Sequence, residues 1–298
     1  MRLLIAGWQG QIARAFVEIA PARKEVSACA LGRPALDICE VRTIERALSE
    51  NRPDIIINTA GYTAVDEAEN DPLRALAMNR DGARLLAMAA AERRVPIIHL
   101  STVNVFDGAK TSPYVEDDQT APANHYGVSK LQGEAAVRDV NPRHVILRTS
   151  WLFSPFGSNF VKTILSNARA GNPIRVVTDQ IGSPTYAPDL ASAIIDVAVR
   201  AHQAQIDGDD RLWGTYHIAN GGEAVSWHDF AQEICKAANA PSALAALAPI
   251  TTADYPTRAP RLRNAALDTS RFSETWGIDL RDWRQALDVC LARLSKPS

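Results

Sequence analysis

Tyr126 and Lys130 stand four residues apart in the stretch HYGVSKLQGE, a spacing that places both side chains on one face of a helix. An ammonium beside a phenol stabilises the phenolate and draws its pKa down from an ordinary value of about 10, so the pair can trade a proton with a substrate nearer neutrality. Upstream, Ser101 and Thr102 close the apolar run PIIHL. A hydroxyl at such a strand end can hydrogen-bond a carbonyl oxygen while the tyrosine protonates it. Ahead of both, the run MRLLIA passes directly into Gly7-Trp8-Gln9-Gly10-Gln11-Ile12-Ala13. Small residues at this spacing let the backbone turn tightly and approach a pyrophosphate, which then sits on the N–H groups and positive dipole end of a helix. Each feature alone has a plainer reading: a structural turn, a helix or turn cap, a chance pair. Together and in this order they point to carbonyl reduction with a dinucleotide cofactor.

The elements that must position these groups follow a βαβ rhythm. The short runs LLIAG, VSACAL, DIIINTAG, PIIHLST and HVILRTS alternate with amphipathic stretches over 10–20, 40–50, 71–93 and 124–139. Continuous apolar runs predict strands buried on both faces, hence an α/β fold with a doubly wound parallel sheet of the Rossmann type. Ligands of such sheets bind beyond the carboxyl ends of the strands, where Gly7 and Thr102 fall. After Ser150 prolines and tryptophans punctuate shorter elements, with helices expected over 188–202, 226–239 and 282–294 and Ser226 as an N-cap. The division expected is a cofactor-binding domain over 1–150 plus about 175–203, and a smaller α/β substrate-binding lobe over 151–174 and 204–298.

Thirty-two basic against 34 acidic residues leave a formal net charge of -2, which gives no reason to expect nucleic acid or an anionic membrane as partner. With 46% hydrophobic and 22% charged residues the chain can build a packed core, which excludes a disordered protein. At 298 residues, one large domain or two lobes sharing a cleft are expected. Cys29, Cys39, Cys235 and Cys290 lack CxxC spacing, so neither a zinc site nor a disulfide framework is expected. The apolar run before Gly7 is too short for a secretory leader or a membrane span, and a cytoplasmic location is expected.

Over essentially its whole length the sequence resembles the extended short-chain dehydrogenase/reductases and, among them, the dTDP-4-dehydrorhamnose reductase family. The resemblance rests on the three features above together with ALDICE at 35–40, RPDIIINTAGYTAVDEAE at 52–69, AMNRDGARLLA at 77–87, LSTVNVFDG at 100–108, RTSWLF at 148–153, NFVKTIL at 159–165, VVTDQIGSPTY at 176–186, SWHDFAQEI at 226–234 and TTADYPTRAPRLRNAALDTSRF at 251–272. It implies reduction of the 4-keto group of a dTDP-linked 6-deoxysugar. Thr102, Tyr126 and Lys130 would form the catalytic set. Gly7, Gly10, Gln11 and Ile12 would cradle the pyrophosphate, Asp37 and Ile38 would flank the adenine, and Ala60, Gly61 and Tyr62 would pass beneath the cofactor. Lys130 would also hold the nicotinamide ribose, and Val65 and Trp151 would line the sugar pocket.

The sequence departs from the family pattern on the substrate side. Val103-Asn104 replaces the usual Asp-Tyr after the catalytic Ser-Thr, so Asn104 is expected to widen the pocket. Arg261-Leu262-Arg263-Asn264-Ala265 stands where Arg-Pro-x-Asn-Ser is usual. Asn159 and Arg261 are the expected contacts to a substrate diphosphate. At the end of SACALGR, Arg33 occupies the region where an acidic residue would bond the ribose of NAD; an arginine there suits a 2′-phosphate, so NADPH is expected ahead of NADH. Two rival readings stand: a reductase of another nucleotide 4-ketosugar, and a non-catalytic nucleotide-binding regulatory subunit on the same scaffold. Some relatives dimerise through a metal near the N-terminal helix, which leaves a homodimer and magnesium open, but QIARAFVEIA offers only Glu18 as a ligand, so no metal site is assigned.

Overall fold

The structure, a computed structural model, describes residues 1–295. Six strands form one sheet: β1 (Arg2–Ala6), β2 (Ser27–Leu31), β3 (Ile55–Asn58), β4 (Ile97–Thr102), β5 (His144–Thr149) and β6 (Gly214–His217), ordered β6-β5-β4-β3-β1-β2 and parallel throughout. The chain winds outward from β1 to β2 and then returns to the other side of β1. The loop after β1 therefore opens at the switch point of the sheet, where a doubly wound fold leaves a crevice.

The apolar runs of β1, β3, β4 and β5 are buried on both faces, as expected, whereas β2, at a sheet edge, is only partly buried. Leu3 and Ile5 face a core shared with the helices Gln11–Ile19 and Ala187–Asp207, whereas Leu4 and Ala6 face a second core built with Val41–Asn51 and Ala83–Glu92. The stretch expected as one helix over 71–93 is three pieces: Pro72–Leu76, a π-helical turn Ala77–Gly82, and Ala83–Glu92. A Cβ at Gly133 would lie 2.1 Å from the Asn79 carbonyl oxygen, so this π turn is pressed backbone to backbone against the helix His125–Val140.

The smaller lobe pairs Ile174–Val177 in parallel with Leu247–Ile250 and packs the helices Phe160–Ala170, Trp227–Ala237 and Trp283–Leu294 around Phe153, Phe230 and Trp283. Ser226 caps the second of these, its Oγ accepting the Asp229 N–H at 3.0 Å. The expected lobe boundaries need two corrections. Gly214–His217, assigned to the substrate lobe, is hydrogen-bonded to β5 as the sixth strand of the main sheet, and Ile174–Val177 belongs to the small lobe's own sheet. No helix among the described residues is long and apolar enough to cross a membrane. Glu18 is ion-paired to Arg293 at 2.5 Å.

Candidate active site

Asn124 starts the helix His125–Val140, its Oδ1 accepting the Gly127 N–H at 2.8 Å. One turn in, Tyr126 faces Thr102 at the carboxyl end of β4, and both line a cavity of about 750 Å³ between the two lobes. Burial raises the phenol above its ordinary pKa, an effect partly offset by the Thr102 hydroxyl beside it. The sequence suggested the opposite shift, from the neighbouring lysine. In the structure Lys130 turns its ammonium inward and donates to the Leu100 carbonyl. The phenol is thus fully protonated at neutral pH, the form an acid must have.

Behind the cavity lies a buried polar row. Asn58 Oδ1 accepts the Ala60 N–H at 3.1 Å, which turns its Nδ2 toward His99 Nδ1, also at 3.1 Å. That nitrogen must accept, so His99, held neutral by burial and then by the Lys130 charge, carries its proton on Nε2, 3.5 Å from Lys130 Nζ. Two donors therefore face each other. Burial lowers Lys130 to about 8, with Glu134 opposing the shift. On the next helical turn Glu134 is fully buried, bound by Arg148 at 2.9 and 2.7 Å and by the Ser101 hydroxyl at 2.6 Å.

The cofactor side fits a dinucleotide. Gly7 has φ +112°, and a Cβ there would lie 2.5 Å from Thr59 Oγ1, whereas a Cβ at Gly10 would point into open space. The helix Gln11–Ile19 begins with no side-chain cap and no acidic residue in its first turn, leaving the N–H groups at Gln11 and Ile12 for an anion. Ala60, Gly61 and Tyr62 follow β3. Asn79 of the π turn clamps this loop: its Oδ1 accepts the Tyr62 N–H at 2.8 Å, and its Nδ2 donates to the Tyr62 carbonyl at 3.0 Å and to Ser129 Oγ at 2.8 Å. Sequence reading missed Asn79, which sits among Arg80, Asp81 and Arg84 with nothing in the sequence to set it apart from them. Asp37 is half-buried and accepts the Cys39 N–H at 3.0 Å. Ile38 is only 3% exposed and packs toward Gly82, so its side chain is core. Arg33 is exposed beyond β2, next to Gly32, over which the Trp8 indole packs.

On the substrate side Val65, Asn104, Trp151 and Arg261 all line the cavity. Trp151 has φ +39°, a left-handed backbone rarely adopted by bulky residues. It stacks on Trp227 with ring centroids 3.5 Å apart and planes 10° apart, and Phe160 leans on the second indole. Trp227, Phe160 and Gln180 were not singled out from sequence. Arg261 is bonded to Asp66 at 2.5 Å through one nitrogen, while its other terminal nitrogen is buried without a partner among the described residues. Asn159 lies outside the cavity lining: it caps Phe160–Ala170, accepts the Lys162 N–H at 3.2 Å, and donates to Gln11 Oε1 and the carbonyls of Ser154 and Phe156. Those bonds occupy its amide, which removes it as a free diphosphate donor.

Residues 1–296 match the family model described as RmlD substrate binding domain. A dTDP-4-dehydrorhamnose reductase of Sinorhizobium fredii is 43% identical over 287 residues, covering 96% of this chain and 95% of that protein. A probable dTDP-4,6-dihydroxy-2-methyloxan-3-one 4-ketoreductase of Streptomyces antibioticus is 40% identical, covering 96% of this chain and 93% of its own length. Among solved structures, the dTDP-4-dehydrorhamnose reductase of Bacillus anthracis in complex with NADP superposes with a TM-score of 0.89 at 32% identity, covering 98% of this chain and 99% of that one. With its parallel Rossmann-type sheet, its cleft between two lobes and this full-length similarity, the chain belongs to the dTDP-4-dehydrorhamnose reductase family.

Proposed function

We propose that the protein reduces the 4-keto group of a dTDP-linked 6-deoxysugar, dTDP-4-dehydro-L-rhamnose, to the alcohol. The observation that carries this reading is the meeting of Thr102 and Tyr126 in one cavity wall, between the open dinucleotide cradle at Gly10 and the aromatic wall of Trp151 and Trp227. When bound, a reduced nicotinamide dinucleotide supplies the hydride. Thr102 donates a hydrogen bond to the keto oxygen and Tyr126 delivers the proton to that oxygen, while Lys130, one turn on from Tyr126, would hold the cofactor ribose. Oxidation of NADPH by the purified protein in the presence of dTDP-4-dehydro-L-rhamnose, with the product identified by NMR, tests the reading. No oxidation with any nucleotide 4-ketosugar would leave only a non-catalytic nucleotide-binding role. The Streptomyces antibioticus relative and the Val103-Asn104 departure favour one alternative, a different dTDP-4-ketosugar, which the same assay ranks. The reaction is placed in the cytoplasm, where NADPH and reduced cysteines are at home. Magnesium on the N-terminal helix is not part of this reading, because Glu18 is committed to Arg293.

Cofactor choice falls to Arg33. Its guanidinium suits a 2′-phosphate, and a charge-assisted hydrogen bond of this kind is worth about 1.5 kcal/mol or more. Arg33→Ala is expected to raise KM for NADPH about tenfold and to leave NADH unchanged; equal effects on both cofactors would remove Arg33 from the site. Arg261 is proposed for the substrate diphosphate on the strength of its buried, unpartnered nitrogen. Because such a contact is made equally before and during reaction, Arg261→Ala should raise the sugar-nucleotide KM about tenfold with kcat nearly constant. An unchanged KM would show that Arg261 serves only Asp66.

A further inference from the structure

Asn104, which stands in place of an aromatic residue, does not present a free amide to the cavity. Its Nδ2 donates to Thr102 Oγ1 at 3.1 Å, its backbone N–H donates to the same oxygen at 3.2 Å, and its Oδ1 accepts from Asn124 Nδ2 at 3.2 Å. The direction of this chain is fixed at its far end. The Gly127 N–H can only donate, so Asn124 must turn its oxygen there; the Pro260 carbonyl can only accept, and it takes the Asn124 amide hydrogen at 3.1 Å. Asn104 must then offer oxygen to Asn124 and nitrogen to Thr102. Both acceptor sites of the Thr102 hydroxyl are filled from one side, and its own proton is left for Tyr126 and the cavity.

We propose that Asn104 is a positioning residue that locks the Thr102 hydroxyl as a hydrogen-bond donor to the reacting carbonyl oxygen, through a one-way chain of amides starting at the cap of the helix that carries Tyr126. The proposal rests on the ketosugar-reductase reading. Before substrate arrives a freely rotating hydroxyl samples orientations with either a proton or a lone pair toward the cavity; the chain removes the wrong ones in advance, so none need be lost when the carbonyl binds. Because Asn124 also holds Pro260, the loop that carries Arg261 and the hydroxyl that meets the carbonyl share one anchor.

The test reverses the polarity of the chain without changing its shape. In Asn104→Asp the carboxylate still accepts from Asn124, but it also takes the Thr102 proton and so turns lone pairs toward the substrate. With NADPH and dTDP-4-dehydro-L-rhamnose as probe, kcat should fall about 10²-fold, in the range seen when an oxyanion donor is lost, with KM, the NADPH dissociation constant and Tm nearly constant. Asn124→Asp keeps a good helix cap yet forces the Asn104 amide to turn round, and should reproduce the kcat loss. In a Thr102→Val background neither substitution should cost anything further, whereas a general electrostatic or packing effect on Tyr126 would persist there. Normal kcat in Asn104→Asp, or losses that multiply with Thr102→Val, overturn the proposal. A wild-type protein that does not oxidise NADPH with the ketosugar overturns the functional reading instead.

Discussion

Tyr126→Phe is expected to cut turnover by about 10² to 10⁴-fold, while the dissociation constant for NADPH stays within about twofold. The substitution keeps the ring and deletes only the hydroxyl, so the wall of the cavity survives and the proton donor does not. Burial holds this phenol above its ordinary pKa, and the Thr102 hydroxyl only partly offsets that. The group therefore enters the reaction loaded with its proton over the whole physiological range. Fluorescence titration with NADPH and single-turnover hydride transfer separate the two quantities. Wild-type turnover in the variant would assign the proton to another group.

Glu134→Gln should destabilise the fold by about 3 to 5 kcal/mol, the cost of breaking a buried ion pair from one side. The carboxylate is 0% exposed and accepts from two nitrogens of Arg148 and from Ser101. A glutamine keeps the shape but turns one amide nitrogen toward a donor and leaves the Arg148 charge uncompensated. Urea unfolding should show a lower midpoint at constant slope; a midpoint within about 0.5 kcal/mol of wild type would mean that water replaces the lost oxygen. The pH dependence has a definite sign. Burial alone would raise the Glu134 carboxyl, but the hydrogen bonds and charge of Arg148, with the Ser101 hydroxyl and the Arg138 charge, outweigh it and hold the group below its ordinary value of 4.5. The pair's contribution is thus fully present above that value and is lost as pH falls through the lower, folded pKa. The acid limb of the stability curve should flatten in the variant.

What could be read from sequence was the part in which chemistry and periodicity coincide. β1, β3, β4 and β5 read as continuous apolar runs because they are covered on both faces, whereas β2, an edge strand, is only partly buried; Gly7 and Thr102 lie at the ends of such runs, and Tyr126 and Lys130 share one face of the helix His125–Val140. β6 was not legible: Gly-Thr-Tyr-His carries no apolar run, and its strand conformation comes from pairing with β5. The π turn at 77–82 reads as ordinary helix, since an inserted residue leaves no mark on the periodicity; the contacts it makes, from Asn79 to Tyr62 and Ser129, are tertiary. The same holds for Trp151. Its cavity-facing role was open in sequence, and the partner that decides it, Trp227, lies on a distant helix with no spacing to announce it. Asn159 and Arg261 shared one expectation but sit differently, because the helix N-terminus at Phe160 takes the Asn159 side chain as its cap, whereas the second terminal nitrogen of Arg261 has no partner among the described residues.

The placement of the last helices governs how this protein can be made. Phe272 and Trp276 fill the core under the main sheet beside Tyr216 of β6, and Trp283, Leu287 and Cys290 fill the core of the small lobe. Neither core closes until the C-terminal residues have left the ribosome, even though five of the six sheet strands are synthesised within the first half of the chain. During that interval β5 is an unpaired edge with apolar neighbours, the kind of surface that chaperones bind and that aggregates when they do not. A nonsense or frameshift change shortly before Phe272 therefore removes core residues from both lobes at once.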